Sequence, residues 1–215
     1  MLLLYGIKTA HLPSAEELRR YLGEDWYGAW RQRHQTQSAE VAMRQSLGGL
    51  CLLRSAAGEG RLAYTPEGKP YFVDGASEFS ITHTADWIFC AVCISKDGAR
   101  PLRVGVDAED GRRLSGARLE ALSARWFSPE EQRLFSSNPT VATFLRLWTR
   151  KEALVKWTGE GLRGLRKADT ARAADDCGLS FWDYEIQGIQ VALCANVSEP
   201  PPTPHLFANW AELRA

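Results

Sequence analysis

The chain has 215 residues, with 26 basic against 26 acidic side chains, 45% hydrophobic and 24% charged residues, and 5 cysteines. That length can bury one large core or two cores of roughly half the chain each, and the cancelled charge argues against general nucleic-acid binding while leaving room for local basic patches toward a phosphorylated ligand. The opening apolar run, Met1-Leu2-Leu3-Leu4, is too short for a signal-peptide core or a membrane span, which predicts a cytoplasmic protein with no membrane partner.

Residues 1–8 read as an opening strand, and Ser14-Ala15-Glu16-Glu17 after Pro13 is a capping box that starts a short helix. An aromatic and basic stretch from Trp26 to His34 follows, carrying Arg31 and Arg33. A longer helix is predicted from Ser38, its expected cap, to Ala57, with Arg44 within it and Val41, Leu47, Leu50 and Leu53 available to a core. Beyond Gly58-Glu59-Gly60 the texture changes to strands: 61–64 and 71–73 around Pro66-Glu67-Gly68-Lys69-Pro70, then 79–83 and 87–94 as a hairpin. His83 ends the first arm of that hairpin, at a loop. Cys90 and Cys93 have a C-x-x-C spacing, but an odd separation in a strand sends them to opposite faces, so they read as buried structural thiols.

After an Asp97-Gly98 turn, residues 102–110 run as a strand whose end turns acidic. Asp107 and Glu109 lie two apart and share a face, with Val106 and Ala108 on the other. Two carboxylates on one face repel; a hard cation such as Mg²⁺, a basic partner or plain exposure would each resolve this. Helices are predicted over 115–127, from a Ser128-Pro129-Glu130-Glu131 start to Phe135, and over 140–157. The polar stretch 163–176 has no periodicity and reads as loop. Residues 179–186 and 189–196 flank Gln187-Gly188 as a second hairpin, a proline-rich break follows, and 207–213 closes the chain.

The helix over 140–157 organises the rest. Phe144, Leu147, Trp148 and Val155 form an apolar stripe, and Glu152 lies four residues after Trp148 and four before Lys156, along the edge of that stripe. As a surface ion pair Glu152–Lys156 would contribute only ~0.3–0.5 kcal/mol. Partly desolvated at a stripe edge, the same two charges need partners.

Three segments, in order, resemble the 4′-phosphopantetheinyl transferases of the larger, surfactin-synthetase-activating (Sfp-type) class. They are Gly68-Lys69-Pro70 with Phe79-Ser80-Ile81-Thr82-His83-Thr84, then Gly105-Val106-Asp107-Ala108-Glu109, and then Trp148-Thr149-Arg150-Lys151-Glu152-Ala153-Leu154-Val155-Lys156-Trp157-Thr158-Gly159-Glu160-Gly161-Leu162. The last is similar to W-x-x-K-E-A-x-x-K-x-x-G-x-G-L at every fixed position. The resemblance implies an α+β fold of two similar lobes related by a pseudo-two-fold, here 1–100 and 101–215, with the active site in the cleft between them. It implies a monomer that transfers the phosphopantetheine arm of coenzyme A to a serine of an apo acyl or peptidyl carrier protein and releases 3′,5′-adenosine diphosphate. By the same resemblance Asp107, Glu109 and Glu152 gather around Mg²⁺, Glu152 or a metal-held water that it polarises is the base, and Lys156 neutralises charge on the transferring phosphate or leaving group, with Lys151 a further contributor. Coenzyme A would meet Arg44, Gly68, Lys69, Pro70, Thr82 and His83, besides Asp107 and Lys156, with Arg31, Arg33 and His34 as alternatives for its 3′-phosphate. Carrier docking would use 119–127. The other readings are a non-catalytic coenzyme A or carrier-protein binding module of the same fold and a different pyrophosphate-cleaving enzyme, such as one that hydrolyses coenzyme A.

Overall fold

The computed structural model describes residues 1–36, 39–75, 77–94, 102–112, 114–197, 200 and 202–215. The expected cap Ser38 and the Asp97-Gly98 turn lie outside these residues. The chain divides into one unit of Met1–Leu102 with Glu199–Ala215 and another of Arg103–Ser198. Antiparallel strands and packed helices in separate stretches of sequence make the fold α+β.

The first unit begins with β1 (Leu2–Lys8), whose buried and half-buried residues alternate over its first half. Helix α1 (Ala15–Arg33) starts where Ser14 Oγ accepts the Glu17 N–H at 3.3 Å, and it is broken by non-helical backbone at Gly23, φ 72°. The short helix and the aromatic-basic stretch of the sequence are therefore two helical segments on either side of one glycine. In α2 (Glu40–Ala57) the N-cap is Ala39, and Leu47, Leu50 and Leu53 enter the core while Val41 is exposed. A Cβ added at Gly48 would lie 2.5 Å from Leu12 Cδ1, and one at Gly49 2.6 Å from Ile81 Cγ2. The bare glycine pair thus lets α2 press close to its neighbours.

Strands β2 (Leu62–Tyr64) and β3 (Pro70–Phe72) pair antiparallel around a turn with Gly68 at φ 96°, and β4 (Ser77–His83) pairs with β5 (Trp87–Ile94). Cys90 and Cys93 are both fully buried on β5, and burial raises the Cys90 thiol well above its usual range.

In the second unit, β6 (Val104–Asp110) leads into α3 (Gly116–Trp126), α4 (Pro129–Ser137) and α5 (Val141–Thr158). Ser128 and Glu131 form a complete capping box on α4, and Thr140 Oγ1 caps α5 at 3.1 Å from the Thr143 nitrogen. Helix α5 ends at Gly159, in the left-handed region at φ 80°. The stretch 163–176 is not all loop: α6 (Thr170–Cys177) lies in it, after a short 3-10 turn at Gly161–Gly164. Asp169 Oδ1 accepts the Ala171 and Arg172 N–H groups, and Ala173 packs with Leu154 and Leu179. A helix this short, with only Thr170 and Ala173 buried, is held by its cap and its neighbours and carries little periodicity of its own. Strands β7 (Ser180–Ile186) and β8 (Ile189–Ala195), joined at Gln187 and Gly188, complete a sheet in the order β6-β8-β7.

The tail then returns to the first unit. β9 (His205–Phe207) runs parallel to β1, extending that sheet to β4-β5-β1-β9, and α7 (Trp210–Leu213) follows. The Trp210 indole donates to Glu17 Oε1 at 3.1 Å, and Leu213 is buried. Residues 101–215 were expected to stay together; backbone pairing to β1 instead takes the last of them away. Among the described residues no helix is long and apolar enough to cross a membrane.

Candidate active site

The chemistry-bearing residues of the second unit meet where α5 lies on β6. Gly105 permits that approach: a Cβ there would stand 2.0 Å from the Ala153 carbonyl oxygen and 2.8 Å from the Trp157 nitrogen. Only a residue without a side chain lets the strand touch the helix backbone at this point. Two residues along the same face comes Asp107, then Glu109 after two more. On the helix, Glu152 and Lys156 lie one turn apart.

Lys156 Nζ donates to Asp107 Oδ1 at 2.8 Å, with the Asp107 side chain 8% and the Lys156 side chain 30% exposed. Glu109 and Glu152 are partly buried beside this pair. Burial, then the charges of Asp107 and Glu152, push the Glu109 carboxyl up to about 7, against the opposing pull of Lys156 and of a hydrogen bond from Trp148. Burial, then Asp107, push Glu152 up to about 7, with Lys156 again opposing. Trp148 thus has a polar task, on Glu109, besides stacking on Phe144 at 5.9 Å. Its place in an apolar stripe concealed that task; the one clue in the sequence was an indole N–H four residues before Glu152.

Asp107, Glu109 and Glu152 are the right donors for a hard divalent cation in charge and in type, and the charge of Asp107 helps raise both glutamates. Their arrangement is not closed around one: among the described residues no three His, Cys, Asp or Glu side chains form a ligand set. The cation on Asp107 is the ammonium of Lys156.

Lys151 takes no part in this cluster. It is fully buried, donating from Nζ to Glu131 Oε2 at 2.8 Å and to the Ala168 carbonyl. Glu131, equally buried, also accepts from Ser128 N at 2.8 Å, from Thr170 N at 3.1 Å and from Thr170 Oγ1 at 2.8 Å. Adjacent helical residues point about 100° apart, so Lys151 and Glu152 face different surroundings. The contribution to chemistry expected of Lys151 gives way to a buried tie between α4, α5 and α6.

The other expected ligand-binding residues lie in the first unit. Arg44 donates from Nε to the Pro13 carbonyl at 2.9 Å and from Nη2 to the carbonyls of Thr9, at 3.2 Å, and Leu12. Those bonds fix the chain between β1 and α1. Gly68, Lys69 and Pro70 follow one another from the Thr65 turn into β3; Lys69 Nζ is 3.7 Å from Glu78 Oε2 on β4. A Cβ on Gly68 would lie 2.7 Å from Arg33 Nη2, so the Arg33 guanidinium rests against this turn. By contrast Arg31 donates to the His34 carbonyl, and the His34 ring stacks on Trp30 at 5.0 Å. Thr82 is buried on β4, and His83, at its end, is exposed. In α3, Leu119 belongs to a core with Phe127, Phe135, Phe144 and Leu147, while Trp126 carries the guanidinium groups of Arg125 and Arg166 at 4.9 and 5.6 Å from its ring centre.

Residues 103–196 match the family model of the 4′-phosphopantetheinyl transferase superfamily. This stretch holds β6, α5 and all four charged residues of the cluster. The chain is similar to the 4′-phosphopantetheinyl transferase HetI of Nostoc sp. (strain PCC 7120), 33% identical over 136 residues that cover 60% of this chain and 53% of that one. It is similar to the 4′-phosphopantetheinyl transferase AcpT of Salmonella typhimurium, 29% identical with 73% and 75% covered. A 4′-phosphopantetheinyl transferase of Bacillus subtilis is 32% identical over 118 residues, with 53% and 48% covered. The chain therefore spans about half the length of the first and third of these relatives.

Proposed function

We propose that this chain is a 4′-phosphopantetheinyl transferase that moves the phosphopantetheine arm of coenzyme A to a serine hydroxyl of an apo acyl or peptidyl carrier protein. The observation that carries this reading is the cluster of Asp107, Glu109, Glu152 and Lys156 on the β6–α5 contact, inside the stretch that matches the superfamily. Binding alone would not need a base beside metal-holding carboxylates.

In the proposed reaction the serine oxygen bonds to the phosphorus that carries the pantetheine arm. The bond from that phosphorus to the bridging pyrophosphate oxygen breaks, and 3′,5′-adenosine diphosphate leaves with the electron pair. Glu152, or a metal-held water that it polarises, would take the serine proton. Asp107, Glu109 and Glu152 would hold Mg²⁺, which when bound supplies positive charge to the pyrophosphate oxygens. Lys156, on a flexible stem one turn from Glu152, would neutralise charge on the transferring phosphate. Trp148 would orient Glu109 through its indole N–H.

In the first unit, Lys69, Thr82 and His83, with the Gly68 and Pro70 backbone, would meet coenzyme A. Arg33 is favoured over Arg31 and His34 for the 3′-phosphate because its guanidinium lies on the Gly68 turn. Arg44 is the weaker candidate, since three carbonyls already accept from it. The surfactin-synthetase-activating class, with its monomeric state and pseudo-two-fold lobes, completes the proposal.

The test is to incubate the protein with coenzyme A, Mg²⁺ and apo carrier proteins of the acyl and peptidyl kinds, and then weigh the carriers. A gain of one phosphopantetheine is expected on at least one carrier. Retained coenzyme A with no carrier gaining mass would favour the binding module, and coenzyme A consumed without a loaded carrier would favour a hydrolase.

A further inference from the structure

The ion pair between Lys156 and Asp107 has a consequence for cation binding. Both backbones are fixed: Asp107 pairs with Ala192 across β6 and β8, and the Gly105 contact presses β6 onto α5 one turn before Lys156. What can move is the lysine stem, four methylenes long and 30% exposed, whereas the Asp107 side chain is 8% exposed. The ammonium lies 2.8 Å from Asp107 Oδ1. A hard divalent cation on that oxygen would sit at roughly 2.0–2.6 Å, and the two positive charges would then repel across a few ångströms in a partly buried place. The other carboxylate oxygen, Oδ2, is buried, so it is at Oδ1 that the lysine-bound and metal-bound states exclude each other.

We propose that Lys156 is a built-in competitor of the divalent cation: its ammonium closes Asp107 until it swings away, so the cation is bound at the cost of this pair. The identity of the cation rests on the transferase reading above; the competition rests on the Lys156–Asp107 geometry. Any anionic phosphate that draws the ammonium off Asp107 would, by linkage, tighten cation binding.

The test is Mn²⁺ binding to the full chain without any nucleotide, followed by the electron paramagnetic resonance of free Mn²⁺. It compares the wild type, Lys156→Met, Lys156→Gln and Arg112→Gln, the last removing a cation that pairs with Asp110 at the end of the same strand. Lys156→Met and Lys156→Gln are expected to bind Mn²⁺ at least about tenfold more tightly than wild type, with Arg112→Gln within about threefold. Having two Lys156 variants guards against one that fails to fold. As a direct readout, the lysine ammonium ¹H–¹⁵N signal that is missing in Lys156→Gln should shift or vanish as Mg²⁺ saturates the wild type. Equal tightening in Lys156→Met and Arg112→Gln, a Lys156 signal that ignores Mg²⁺, or no Mn²⁺ binding by any variant would overturn the proposal. Failure of the transferase reading shows separately, as wild-type protein that loads no carrier.

Discussion

Glu131 and Lys151 are both fully buried, and each has several partners. Lysine and glutamate are almost never buried to this degree unless paired, and removing one partner strands the other's charge. Lys151→Met is therefore expected to destabilise the protein by about 3–5 kcal/mol, whereas Glu131→Gln combined with Lys151→Met recovers part of the loss. Thermal or denaturant unfolding of the two variants checks this. Glu109 and Glu152 depart in a different direction. Their carboxyls titrate near 7 in the folded chain, above the 4.5 of a free glutamate, so the folded state holds protons that the unfolded state has released. The stability this gives is present in full below about 4.5 and is lost as pH rises through about 7. In a metal chelator, the melting temperature should fall between about pH 5 and pH 7.5, and Glu109→Gln with Glu152→Gln should flatten that fall.

Among the elements, the contact of α5 with β6 determines whether the four charged residues meet at all. Gly105 has no room for a Cβ, because the nearest atom would be a backbone oxygen at 2.0 Å that no rotamer change can clear. Gly105→Ala is expected to destabilise the protein by at least about 2 kcal/mol and to loosen the Lys156–Asp107 pair; unfolding measurements and the Lys156 ammonium signal would register both. Much of this element was legible in advance. The serine cap and glutamate of α4 and the Trp148-to-Lys156 spacing on α5 are local signals that tertiary packing leaves intact. Asp107 and Glu109 shared a face by strand periodicity alone. The misses share a physical cause in long-range contact. α6 owes its place to Asp169 and to the Glu131 carboxylate that binds Thr170, 39 residues away in sequence, and no window of sequence contains that bond. Lys151 looked like a neighbour of Glu152, yet its partner is 20 residues earlier, on α4.

At the scale of the whole molecule, the return of 203–215 to the first unit was not legible either. β9 has three residues and α7 four, too few to show a period, and they are held by pairing to β1 and by the Trp210–Glu17 bond across 193 positions. All four charged residues of the cluster nonetheless lie within Arg103–Ser198, so the central claim can be tested on the full chain by one conservative change. Glu152→Gln keeps the size and removes the proposed base. With coenzyme A, Mg²⁺ and an apo carrier that wild type loads, single-turnover mass spectrometry of the carrier should show transfer slowed by at least about 100-fold, at a melting temperature close to that of wild type. Loading by Glu152→Gln within about threefold of the wild-type rate would contradict the account.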